Sequence, residues 1–348
     1  MDGHKLHWHP ERVTQWLRGE PIAPLYIDMG ITQTCNVACR FCYYAVPENR
    51  NRNYIPTDSL VNFFKDAAEV GVKAVGILGD GEPTLHPDLY TCLAEGAKTG
   101  LDLALATNGV TLKPSEFPLL LDSLVWLRFT LCSADGKNYK TMMGRNEETF
   151  YKVIRNIETL ANSKQKLSSK CTIGIQMVLT DECADQIIPL AKLGQEMGVD
   201  YFVVKQTSER DTSEQNTIAR DYTKHEELFL QAETFSRDNY SVIVKRLKMQ
   251  KEKRQYDNCY GCEFLPQISG AGDLYNCGNF FGDPDFHIGN IIDRSFKEII
   301  NSGRYREVMN RVKQGIDVHS QCGIGCRQNE INEYLDFLKA QPPHINFI

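Results

Sequence analysis

With 348 residues, 39 Lys plus Arg against 45 Asp plus Glu and a formal net charge of -6, the chain is acidic and long enough for roughly two domains. That balance argues against an unspecific binder of phosphate backbones, and 42% hydrophobic with 24% charged residues excludes disorder and collagen-like repeats. No apolar run approaches the roughly 18 to 20 residues of a membrane-spanning helix and the first twenty residues hold no apolar signal core, so a soluble cytoplasmic protein is expected, with neither membrane nor nucleic acid as partner.

From Leu25 onward, short β-rich apolar runs alternate with stretches whose apolar residues recur every three or four positions, the pattern of βα units around a parallel sheet. Strands are expected at LYIDMGIT from Leu25, KAVGILGD from Lys73, LDLALAT from Leu101, VWLRFTLC from Val125, TIGIQMVLT from Thr172 and YFVVKQT from Tyr201. Between them DSLVNFFKDAAEVG, PDLYTCLAEGAKTG, PSEFPLLLDSL, EETFYKVIRNIETLANS and ADQIIPLAKLGQEMG read as helices, several stopped by Gly or Asn-Ser. Six such repeats fall short of a closed eight-stranded barrel. They suit an α/β fold with a partial (β/α)6 barrel, its chemistry on loops at the carboxyl ends of the strands. The polar run from Gln206 to Glu226 reads as a solvated loop or lid. Past about residue 240, SVIVKRL gives way to charged, cysteine-bearing segments, two short helices around Phe296 and Tyr305, and a last helix from about Asn329. The expected organisation is an extension over 1–24, a barrel over 25–239 and a small α+β domain over 240–348.

Twelve cysteines in a cytosolic chain of this size point to metal rather than to disulfides. Cys35, Cys39 and Cys42 form a C-x3-C-x2-C group directly after the first strand. Three thiolates on one short loop hold three corners of a cubane and leave one iron open. Ordinary buried thiols and a zinc site completed by a distant ligand are the competing readings. The group, with Phe41 before its last cysteine, resembles the signature loop of the radical S-adenosylmethionine (radical SAM) enzymes. The resemblance implies a 4Fe-4S cluster on these three cysteines, whose open iron chelates the amino and carboxylate groups of S-adenosylmethionine (AdoMet). It also implies cleavage of AdoMet to methionine and a 5′-deoxyadenosyl radical.

Further positions carry the resemblance through the barrel. After the second strand, Gly81, Glu82 and Pro83 match the family's Gly-Gly-Glu-Pro stretch, with Asp80 in place of the first glycine. Glycine there suits a backbone passing close to a bound ammonium group. Thr107, Asn108 and Gly109 are similar to the family's Thr-Asn-Gly turn near the cofactor. On the fourth strand Phe129, Leu131 and Ser133 share one face while Cys132 points to the other. Ser133 resembles the position that hydrogen-bonds the cofactor ribose, and Arg145 the arginine that meets the methionine carboxylate. Gln176 and Val178 on the fifth strand are placed to flank the adenine. Without the neighbouring motifs these would read as a strand-end serine, a surface arginine and a paired core glutamine.

Cys259, Cys262 and Cys277, followed by Cys322 and Cys326, resemble the SPASM/Twitch branch of the family, whose C-x(9 to 15)-G-x4-C hairpin fits through Gly272 from either Cys259 or Cys262. Five cysteines instead of the seven of a full SPASM domain imply one auxiliary 4Fe-4S cluster, on Cys259 or Cys262 with Cys277, Cys322 and Cys326. Spacing leaves that choice open. The closing C-x3-C departs from the C-x2-C of some Twitch members, and a zinc ribbon is the competing structure.

The closing run CRQNEINEYLDFLKAQPPHINFI is similar to radical SAM proteins of aminoglycoside, nucleoside and surface-sugar pathways, including dehydrogenases and epimerases acting on aminocyclitol antibiotics. Only 24 residues precede the first strand, so a winged-helix peptide-binding module is not expected. A small polar substrate such as a sugar, aminocyclitol or nucleotide is therefore preferred, its radical ending in dehydrogenation, epimerisation or dehydration. The rivals are a radical SAM maturase of a ribosomal peptide and a non-enzymatic zinc or iron-sulfur regulator. Lys205, ending the sixth strand, is the candidate to hold a carboxylate or phosphate or to move a proton. Cys183, beginning the helix after the fifth strand, is the candidate hydrogen-atom donor for epimerisation. The family implies a flavodoxin or ferredoxin as reductant.

Overall fold

The computed structural model describes residues 4–42, 54–207, 221–249, 254–322, 325–341 and 343–347. Seven strands run parallel in chain order: β1 (Tyr26–Met29), β2 (Ala74–Ile77), β3 (Asp102–Thr107), β4 (Trp126–Thr130), β5 (Thr172–Leu179), β6 (Tyr201–Gln206) and β7 (Ser241–Val244). Six stand where the sequence puts them. The seventh pairs with β6 from Tyr201↔Ser241 to Val204↔Val244, so the parallel array crosses the break expected at 239/240. It escapes the βα periodicity because, among the described residues, the helix Arg246–Met249 that follows it has four residues, too few to display an apolar stripe.

On the other flank β8 (Gln267–Ile268) adds to β1 in parallel. β9 (Asp273–Tyr275) and β10 (His287–Asn290) then follow in antiparallel steps, giving one ten-stranded sheet with β10 and β7 at its edges. The carboxyl-terminal cysteine-bearing hairpin is therefore joined to the barrel through backbone hydrogen bonds along an edge strand.

All five expected helices form, among them Thr57–Val70, which closes on Gly71 at φ +98°, the left-handed cap that glycine accepts without strain. Glu147–Leu167 runs through its expected Asn-Ser stop, because Ser163 satisfies its hydroxyl on the Thr159 carbonyl (2.8 Å) within the helix. Pro10–Leu17 and Gly136–Met143 are additional helices. Of the two helices expected to be short, Phe296–Ile300 is so and Gly303–Gly315 has 13 residues. The amino-terminal extension folds onto the carboxyl-terminal region, where Leu6, Val13, Trp16 and Leu25 make a second core with Phe264 and Leu335, and the Trp16 indole donates to Glu263 (2.8 Å). Of the expected lid, residues 208–220 lie outside the described residues. No helix among the described residues is long and apolar enough to cross a membrane.

Inside the barrel, side chains alternate between a helix-facing layer and the interior. Gly174 and Gly76 lie on the interior side, and a Cβ on either would come within 2.1 Å of the Tyr201 ring or the Tyr26 hydroxyl respectively. Those rings and Trp126 fill the amino-terminal end of the interior. One layer further along, Asp28, Arg128, Gln176 and Lys205 make it polar and border an open cavity of about 410 Å³ at the carboxyl ends of the strands.

Candidate active site

The loop after β1 carries Cys35, Cys39 and Cys42, and backbone bonds fix its course. Ala38 and Arg40 donate to the carbonyls of Met143 and Met142 (3.0 Å each), and Cys42 donates to the Cys39 carbonyl (3.1 Å). The helix Gly136–Met143 is thus the loop's support, and Arg145 just beyond it donates to the Asn36 carbonyl. Burial, then Cys42, Cys35 and Glu82, pushes the Cys39 thiol pKa up, the signature of three sulfurs and a carboxylate near one point. All three cysteines and Phe41 line the cavity.

Glu82 is almost wholly buried and accepts four hydrogen bonds, from the Thr84 amide (3.1 Å) and hydroxyl (2.6 Å), the Thr107 hydroxyl (2.6 Å) and the Asn108 amide (2.8 Å). It latches the loop after β2 to the turn after β3. Burial raises its pKa while those bonds oppose the rise. Asn108 reaches on to the Asn36 side chain (2.7 Å), so the Thr-Asn-Gly turn also braces the cysteine loop. Gly81 proves necessary for a reason internal to the protein: a Cβ there would lie 2.2 Å from the Thr32 carbonyl oxygen and 2.7 Å from that of Thr34. Asp80, the departure from the family stretch, accepts from the Gly270 amide (2.7 Å) and from Gln33 (3.4 Å). Its buried carboxylate therefore ties the cysteine-loop side of the barrel to the turn between β8 and β9.

Gly81, Glu82, Thr107, Asn108, Gln176, Val178 and Lys205 all border the cavity. Three sequence candidates do not. Ser133 is fully buried beyond the end of β4, its hydroxyl without a partner among the described residues, so the strand alternation that would put it on one face with Phe129 stops short of it, and Phe129 itself packs near Gly109 and Val153. Arg145 is exposed and spent on Asn36. Cys183 is fully buried within the cap of the turn Asp181–Gln186, where its sulfur meets the Thr180 hydroxyl and amide (3.4 Å each) and burial raises its pKa. The sequence reading passed over Arg128, whose signal was an arginine alternating with Trp126 and Thr130 inside an apolar strand.

Five further thiols, Cys259, Cys262, Cys277, Cys322 and Cys326, belong to the carboxyl-terminal region that carries the β8–β9 hairpin, while Cys92, Cys132 and Cys171 are buried in the barrel core. Burial raises the pKa of Cys277, with Cys326, Cys259 and Cys322 adding to the rise, and burial with Cys259 and Cys322 lifts Cys326 to about 12. Cys262 lies alongside Cys259, donating to its carbonyl (3.3 Å). Two residues the sequence reading did not single out organise the turn: Asn332 accepts from the Gly261 amide (2.6 Å) and donates to the Cys259 sulfur (3.5 Å), while Gln328 accepts from Cys259 (3.1 Å) and donates to the Leu265 carbonyl (3.0 Å). They lie four apart at the start of the helix Asn329–Ala340, and that spacing after Cys326 was the available signal. Asn276, beside Cys277, is fully buried with neither amide atom partnered. Thiols that raise one another's pKa and an unmet amide donor are chemically suited to a sulfide-bearing cluster, although among the described residues the sulfurs are not gathered into a closed ligand set, and three loop sulfurs on an open cavity suit a cluster with one exposed corner.

An α/β barrel with a three-cysteine loop at the strand ends and a second thiol group under an edge hairpin defines a class of cluster-bearing protein. The Radical SAM superfamily model matches residues 29–193, and the iron-sulfur cluster-binding SPASM domain matches 265–327. The chain belongs to the radical SAM superfamily, with a SPASM/Twitch-like auxiliary domain; it is an enzyme that binds and cleaves AdoMet and abstracts hydrogen by radical chemistry. Its domain composition implies a 4Fe-4S/AdoMet site plus an auxiliary cluster.

The chain is similar to the AdoMet-dependent heme synthase of Methanosarcina barkeri, 25% identical over 353 aligned positions that cover 92% of this chain and 96% of the relative. Among solved structures it resembles Streptococcus suis SuiB bound to S-adenosylmethionine, with a TM-score of 0.70 and 21% identity over 97% of this chain and 80% of that one. It also resembles anSMEcpe with bound AdoMet, with a TM-score of 0.62 and 18% identity over 91% and 95% of the two chains. These are likenesses of fold. The narrower expected likeness to aminocyclitol- and sugar-modifying enzymes is weak and partial.

Proposed function

We propose that the chain abstracts hydrogen from a peptide substrate presented at the mouth of the cavity, as a radical SAM maturase. The observation that carries the catalytic part is the convergence of Cys35, Cys39 and Cys42 with Glu82 on that cavity wall. The peptide part is supported by the fold neighbours: SuiB has been solved bound to precursor peptide SuiA and anSMEcpe with the Cp18Cys peptide, likenesses covering 97% and 89% of this chain. The small sugar, aminocyclitol or nucleotide becomes the second reading, favoured by the cations of the cavity wall described below.

In this reading Cys35, Cys39 and Cys42 hold the radical SAM cluster, and AdoMet lies against Phe41, Gly81, Glu82, Thr107, Asn108 and Gln176. A single auxiliary 4Fe-4S cluster would be held by Cys277, Cys322, Cys326 and Cys259, in preference to Cys262, whose thiol donates to the Cys259 carbonyl. When bound, these groups supply the electron and the deoxyadenosyl radical. The chain's own residues orient the substrate and keep water from the radical; the latched loops of Glu82 and Asn108 hold that geometry. A flavodoxin or ferredoxin delivers the electron.

The test is anaerobic reconstitution with iron and sulfide, addition of dithionite and AdoMet, and quantification of 5′-deoxyadenosine. Incubation with short peptides encoded beside the gene should then yield a peptide of altered mass. Peptides left unaltered while a deuterated sugar or nucleotide transfers deuterium to deoxyadenosine would install the second reading instead.

A further inference from the structure

We infer that Arg128 on β4 and Lys205 on β6 form a receptor for an anionic group of the substrate, a carboxylate or a phosphate. The inference rests on the reading that the cavity is the substrate site. Both side chains line the cavity, on the two strands that flank β5. The Arg128 guanidinium lies over the Trp126 ring, 4.9 Å from its centroid, and it also hydrogen-bonds to the uncharged Tyr201 hydroxyl. Its Nε is buried with no acceptor. Among the described residues the Lys205 side chain makes neither a hydrogen bond nor an ion pair.

The acidic residues nearby are already engaged. Asp28 pairs with Arg327 and accepts from the Tyr26 hydroxyl (3.1 Å), and Glu82 is saturated by its four donors. Lys248 is paired with Glu330 at 3.5 Å. Arg128 and Lys205 are thus two like charges on one concave wall, and among the described residues no carboxylate pairs with either. Burial, then Arg128 and Lys248, pushes the Lys205 pKa down to about 8, as crowding of this kind requires. Both are half-buried on an open cavity, so water screens part of their repulsion and a bound anion would compensate the remainder. The planar fork of Arg128 matches two oxygens of a carboxylate or phosphate, with Lys205 as the second, point-like cation.

The experiment is calorimetric titration of the reconstituted, AdoMet-saturated full chain with inorganic phosphate and, separately, with glutarate. At least one anion should bind, and R128Q and K205Q should each weaken it by about tenfold or more, while K205R, which keeps the charge, restores most of the affinity. Phosphate bound alone identifies a phosphorylated substrate; glutarate bound alone identifies a carboxylate. Three results would overturn the inference: neither anion binding the wild-type chain, equal affinity in R128Q and K205Q, or binding that AdoMet abolishes, which would assign the cations to the cofactor's own carboxylate. Substrate-free deoxyadenosine formation is read separately on the wild-type chain, so failure of the radical chemistry and failure of the receptor are distinguishable.

Discussion

The two thiol groups of this chain are built in opposite ways. Cys35, Cys39 and Cys42 come from eight consecutive residues, half-buried on the wall of an open cavity and held from outside by the Met142 and Met143 carbonyls, Asn108 and Arg145. Cys259, Cys277, Cys322 and Cys326 come from three segments spread over 68 positions and meet only because the β8–β9 hairpin docks on β1 and the last helix returns under it. The first group is local in sequence and open to ligand, as a cluster with a reactive corner must be. The second is distant in sequence, so long-range strand pairing has to bring its thiols together, whereas in the first such contacts only brace a loop whose thiols are already neighbours.

Changes at the two groups should separate them. Changing Cys35, Cys39 and Cys42 together to Ala should reduce 5′-deoxyadenosine formation to background while about four irons per chain remain on the distal thiols, read by iron analysis. Loss of all iron would merge the two groups into one dependent unit. Next in size, Asn332→Ala strands the Gly261 amide and the Cys259 sulfur inside the protein, a loss of about 1–3 kcal/mol that should appear as a lower unfolding midpoint and early release of auxiliary iron. Equal iron retention in this variant would mean that the hairpin alone positions the thiols.

Asp80→Gly restores the family's glycine and removes the acceptor of the Gly270 amide. It should cost about 1–3 kcal/mol and speed hydrogen exchange at Gly270 without moving amides on β5. The smallest effect concerns Lys205, whose pKa burial, Arg128 and Lys248 lower from 10.5 to about 8. Between those values the unfolded chain binds a proton that the folded chain does not, so stability should rise with pH across that window. K205M should lack this component when denaturant midpoints are compared from pH 8 upward, and an unchanged slope would remove Lys205 from the buried cations.

Much of the barrel was legible because its period is local. Apolar runs and helical stripes mark β1 to β6, and the loop cysteines sit at a strand end that the βα rule already makes the reactive side. Ser133, Arg145 and Cys183 were legible only as residue types. Which face of the chain beyond β4 meets the cavity depends on what packs outside it, and Phe129 under the helix Glu147–Leu167 decides that. Gln328 and Asn332 were invisible as partners because their acceptors and donors lie some seventy residues upstream.

By itself the sequence determined the βα order, the three-cysteine loop and the glycine-glutamate and Thr-Asn-Gly turns, since each is written in residues close together along the chain, and it marked the distal cysteines by the spacing within each pair. Only the tertiary structure decided that β7 and β8 extend one sheet on both flanks, that Asp80 binds the hairpin to the barrel, that the Cys262 thiol turns to the Cys259 carbonyl, and that Arg128 and Lys205 share a wall. Those outcomes turn on which strand edges pair and which side chains are left without a counter-charge, and both are properties of the packed chain.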